Sequence, residues 1–78
     1  PNPFNPVTTI RFNLPEEAHV KLEIFDVQGR LVKTLANRTF SSGFHAAEWN
    51  ASGISSGVYF YRLVTPSYTE MRKMILLR

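Results

Sequence analysis

Apolar and polar residues alternate with a period of two along much of the chain. Ile10, Phe12 and Leu14 are interleaved with Thr9, Arg11 and Asn13, and Val20, Leu22 and Ile24 with Lys21 and Glu23. Successive side chains of a strand point to opposite faces, so this alternation predicts half-buried β-strands. Pro15-Glu16-Glu17 ends the first strand and Asp26-Val27-Gln28-Gly29 the second. Asp suits the first position of a type I turn, and Gly29 can take the left-handed conformation of a three-residue hairpin with a bulge. Leu31 to Ala36 is therefore expected to fold back antiparallel on residues 18–26.

Further along, Asn37 to Gly43 is polar apart from Phe40 and reads as a connection, with Ser41-Ser42-Gly43 as its turn. Residues 44–50 form another strand, and Asn50 to Gly57 is a loop. Val58 to Val64 is dense in β-formers. Pro66-Ser67 makes a turn, and residues 69–77 form the last strand. Trp49 is expected in the core, with Tyr59, Tyr61 and Leu63 pointing inward and Arg62 toward solvent. Val58 and Phe60 then lie partly exposed on the other face. In the last strand Met74 and Leu76 share one face, Ile75 and Leu77 the other. A strand apolar on both faces is either central or covered by a partner. Pro1, Pro3 and Pro6 make residues 1–7 an extended, unpaired lead-in or linker end, which leaves 8–78 as a single domain. No segment shows convincing helical period. About seven short strands separated by turn signals read as an antiparallel sandwich or barrel.

Composition narrows the function classes. At 78 residues the chain is one domain, and one this small buries only about 60% of its unfolded surface. That leaves little room for a deep cleft. Without cysteine there is no disulfide framework, thiolate nucleophile or cysteine zinc site. The net charge of +3 is spread thinly, with Arg72-Lys73 the one adjacent basic pair, and a nucleic-acid partner requires a denser basic stripe. No run approaches the roughly 20 apolar residues of a membrane helix, so no membrane span is expected. The chain opens on Pro1-Asn2-Pro3 rather than a start Met, and reads as a piece of a longer polypeptide.

Candidate chemistry is sparse. His19 and His45 lie alone on separate strands, outside any metal-ligand spacing. Asp26 is explained by its turn, and Glu16-Glu17 by a solvated one. Ser55 and Ser56 lie between glycines but form no nucleophile elbow. Neither a phosphate loop nor a calcium loop is present. No catalytic, cofactor-binding or metal residues are assigned, no cofactor is expected, and an enzyme is not. Asn37-Arg38-Thr39 and Asn50-Ala51-Ser52 match the glycosylation tripeptide, a pattern common by chance. Aromatic residues leave two readings. Phe44, Trp49, Tyr59, Tyr61 and Tyr68 either fill the core or form a sugar-stacking platform of coplanar exposed rings, as in a carbohydrate-binding module.

The order of motifs resembles a known family. Pro1-Asn2-Pro3-Phe4-Asn5-Pro6, Thr8-Thr9-Ile10-Arg11-Phe12 and Leu14-Pro15 open the chain. Ile24 to Val32 carries Asp26, Gly29 and Arg30. Gly43-Phe44-His45, Trp49-Asn50, Ser56-Gly57-Val58-Tyr59 and the basic, apolar end Lys73 to Arg78 follow. Together they are similar to the C-terminal sorting domains of the bacterial type IX (Por) secretion system, and to the related immunoglobulin-like domain of flagellar hook-capping proteins. Asn50 stands where the family often has Asp, and Arg78 where Lys is usual. The resemblance implies an immunoglobulin/fibronectin-III-like sandwich of about seven strands. It further implies a non-catalytic module of a larger exported protein, acting as a sorting or surface-attachment signal outside the cell or on its surface. Its partners would be the secretion and outer-membrane machinery and the preceding cargo domains. Gly29, Gly57 and Tyr59 carry the motifs, and Arg72, Lys73, Met74, Ile75, Leu76, Leu77 and Arg78 are the candidate sorting residues. A structural spacer or interaction domain, as in hook-capping proteins, is the alternative.

Overall fold

The computed structural model describes residues 6–77, so most of the proline-rich lead-in and Arg78 lie outside the described residues. Within them are six strands: β1 (Val7–Leu14), β2 (Ala18–Asp26), β3 (Leu31–Phe40), β4 (Gly43–Asn50), β5 (Gly57–Val64) and β6 (Thr69–Leu76). They form two antiparallel sheets, β1-β4 and β3-β2-β5-β6. The architecture is the expected all-β sandwich, with six strands rather than about seven. Val7 already pairs with Asn50, and the Pro6 carbonyl accepts a hydrogen bond from the Ala51 amide at 2.9 Å. Pairing therefore starts inside the segment expected to be unpaired.

Period-two alternation puts Ile10, Phe12, Leu14 and Trp49 of the smaller sheet against Val20, Leu22, Ile24, Leu63 and Tyr59 of the larger one. Val20, Leu22, Ile24 and Leu63 are fully buried, each stabilising the fold by about 1.5–3 kcal/mol relative to exposure. That burial holds the two layers together without a disulfide.

The β2–β3 hairpin forms where the turn chemistry predicts it. The Gly29 amide donates to the Asp26 carbonyl at 3.0 Å. Gly29 has φ +81°, where a Cβ is strained. The Asp26 carboxylate accepts from the Gln28 and Arg30 amides and from Arg30 Nε.

β3 runs further than the expected Leu31–Ala36, through Asn37-Arg38-Thr39 to Phe40. The polar stretch pairs with β2 as far as Ala18↔Phe40, and backbone pairing is indifferent to side-chain polarity at a solvent-facing edge. Arg38 lays its guanidinium 3.7 Å above the Phe40 ring. Its stem and planar head thus cover apolar surface. Register shifts on β3 leave Val32 and Leu35 without direct partners on β2, and both pack against the core. Such bulges re-aim side chains that strict alternation would send outward. After Phe40 the chain crosses to the other layer. Phe40 meets Phe12 edge-on at 5.3 Å, which fixes the corner.

Candidate recognition surface

β6 pairs on one side with β5 and, among the described residues, has no strand on the other. Its last residues resolve the facing that the sequence left open. Leu76 is buried and Met74 packs against the core, whereas Met71, Ile75 and Leu77 are 56%, 65% and 68% exposed. The strand is thus neither central nor covered by anything in the described chain. Lys73 shares the outward row with Met71 and Ile75; its backbone lies in the ladder opposite Phe60, and its ammonium has no hydrogen-bond or ionic partner among the described residues. Arg72 lies on the inward side, opposite Tyr61, and both its Nε and Nη2 bond Glu70. That carboxylate holds the Arg72 guanidinium above its ordinary pKa. Burial, then the Glu70 charge, pushes the Tyr61 hydroxyl up.

The candidate sorting residues therefore fall into distinct environments. Leu76 and Met74 anchor the strand, Arg72 is tied to its neighbour, and Lys73, Ile75 and Leu77 face solvent. Gly57 starts β5 at φ +154°, directly opposite Leu76. Tyr59 is buried, and its hydroxyl donates to the Ser55 carbonyl at 2.7 Å. This bond ties the 51–56 loop to the strand beside β6. Trp49 and Leu63 lie in the core, and Tyr61 is half-buried at its margin.

Continuing from β6, the outer face of the larger sheet carries a shallow groove of about 280 Å³ between Phe25, Val27, Phe60, Arg62 and Met71. Arg62 does not run free into solvent as expected. It bonds Glu23 Oε1 at 2.9 Å and lies 4.8 Å over the Phe25 ring. Glu23, 5% exposed, is the buried carboxylate that alternation alone assigned to the solvent face. Its signal was the Glu-Arg pairing across β2 and β5, which requires the register to be known.

Other sequence candidates separate. His19 bonds Asn37 and His45 the Ser41 carbonyl, and no group of metal-ligating side chains occurs among the described residues. The five aromatic residues do not make a coplanar platform. Trp49 and Tyr59 are buried and meet edge-on, while Phe44 stands 88% exposed on the outer face of the smaller sheet. Asn50 accepts from the Ser52 amide at 3.0 Å, a contact that an Asp carboxylate makes equally well.

Fold and surface together define a small antiparallel β-sandwich that ends on an open edge strand. The chain belongs to the secretion system C-terminal sorting domain family, whose model matches residues 1–77. No curated protein and no solved structure matches it. Membership makes it a sorting signal of the type IX system, which marks proteins for export through the outer membrane to the cell surface or beyond. No helix among the described residues is long and apolar enough to cross a membrane.

Proposed function

We propose that the domain is a non-catalytic sorting and surface-attachment module whose recognised element is β6 with the residues after it, Arg72 to Arg78. The observation that carries this reading is the free edge of β6, with Met71, Ile75 and Leu77 exposed along its outward row. An unpaired edge presents backbone donors and acceptors to an added strand, and alternate side chains supply specificity. The secretion machinery would pair with this edge, while Met74 and Leu76 keep it seated on the sandwich. Recognition then requires the folded domain, not only a linear tail.

Export of a reporter cargo carrying this domain tests the reading. Met71→Ser and Ile75→Ser remove exposed apolar contact without opening the core, so the domain should keep its melting temperature and lose export. Deletion of residues 71–78 should abolish export. Wild-type secretion of the folded double variant would reject β6 as the recognised element.

A further inference from the structure

An apolar free edge is equally a template for another copy of itself, and β6 carries a specific obstacle to that pairing. Directly opposite residues in an antiparallel pair share a face. Two copies of β6 related by a two-fold axis must therefore match residues of the same facing. Within Thr69–Leu76 the two fullest registers are those centred on residue 72 and on residue 73. The first sets Arg72 against Arg72 of the second copy, and the second sets Lys73 against Lys73. Like charges directly opposite destabilise a strand pair. Arg72 is partly compensated by its own Glu70. Lys73 has no such partner among the described residues and sits between exposed Met71 and Ile75.

We propose that β6 is a charge-gated strand acceptor, closed to a second copy of this chain and open to an extended apolar segment that carries a carboxylate opposite Lys73. The inference rests on β6 being the recognised element, and adds the chemistry of the segment that pairs with it. The lone ammonium does two things at once. It raises the energy of self-pairing, and it leaves a charge that an acidic residue on the incoming strand neutralises. Opposite charges across a strand pair stabilise it, and the apolar neighbours Met71 and Ile75 limit screening of that pair.

The test uses the isolated 78-residue chain and two capped seven-residue peptides of alternating valine and threonine, one with a central glutamate and one with a central lysine. Binding is followed by amide shifts of β6 in NMR titrations. The glutamate peptide should bind about five-fold more tightly than the lysine peptide. Lys73→Glu should invert that ranking, and high salt should weaken the preference. In sedimentation equilibrium the wild type should be monomeric, whereas the double variant Arg72→Thr, Lys73→Thr should form a concentration-dependent dimer. A ranking that does not invert, no binding of either peptide up to millimolar concentration, or a wild-type dimer through β6 would overturn the proposal. These readouts do not involve export, so a failure here is separable from a failure of β6 as the sorting element.

Discussion

The Trp49 ring of the smaller sheet meets the Tyr59 ring of the larger sheet edge-on, with centroids 5.5 Å apart and planes at 66°. The pair bridges the two layers near the end where the chain comes in, because Val7 pairs with Asn50 beside Trp49. Trp49→Ala is expected to cost about 3–5 kcal/mol, a large share of the roughly 5–15 kcal/mol that holds a domain together. Tyr59→Phe keeps the ring contact and removes the hydroxyl bond to Ser55, costing about 0.5–1.5 kcal/mol. Urea unfolding followed by circular dichroism measures both. Equal losses would mean that the rings do not couple the sheets.

Glu23 is buried on the outward side of β2, held by Arg62 Nη2 at 2.9 Å and Lys21 Nζ at 3.5 Å. Arg62→Met retains apolar cover over Phe25 and leaves the carboxylate to the longer Lys21 contact. A loss of about 1–3 kcal/mol is expected from the weakened partnership. Adding Glu23→Leu should recover part of it, since the stranded charge is then gone. A double-mutant cycle reports the coupling directly, and strictly additive losses would contradict the arrangement.

Gly29→Ala should destabilise the β2–β3 hairpin by about 1–2 kcal/mol, the cost of a left-handed residue with a Cβ. No atom lies within 4 Å of the added carbon, so the penalty is conformational rather than steric. Gly29→Asn should cost less, because Asn tolerates that conformation. Thermal melts of the two variants rank them, and Ala equal to wild type would contradict the turn geometry.

Asp26 should make the hairpin acid-sensitive. The backbone amide of Arg30 foremost, joined by the Arg30 side chain and the Gln28 amide, holds its carboxyl below the ordinary 3.8 and outweighs the opposing effect of desolvation. A carboxylate depressed in the folded state stabilises above its unfolded pKa, and that contribution fades as pH falls through the folded value. The melting temperature should therefore drop as pH is taken below 3.8, and Asp26→Asn should flatten that part of the profile. An unchanged profile in the variant would assign acid sensitivity elsewhere.

Much of the fold was legible locally. The alternation of Ile10-Phe12-Leu14 and Val20-Leu22-Ile24 fixed which faces are buried, and Asp26 with Gly29 located the hairpin. Motif order was enough for the family resemblance. Less of the recognition surface could be read. Met74-Ile75-Leu76-Leu77 is apolar on both faces, so hydropathy carries no sign of which side meets solvent. The candidate set treated Arg72 to Arg78 as one block, although Leu76 is core and Ile75 is surface.

What the chain determines by itself is whatever depends on neighbours within a few residues: strand periodicity and turn chemistry. The tertiary structure alone decided that β6 is an edge, that Glu23 is buried under Arg62, and that Val32 and Leu35 turn inward at bulges. The physical reason is that these outcomes depend on pairings between segments distant in sequence. Glu23 and Arg62 are 39 residues apart. An edge is defined by the strand that fails to pair beside it, which no local pattern of polarity encodes.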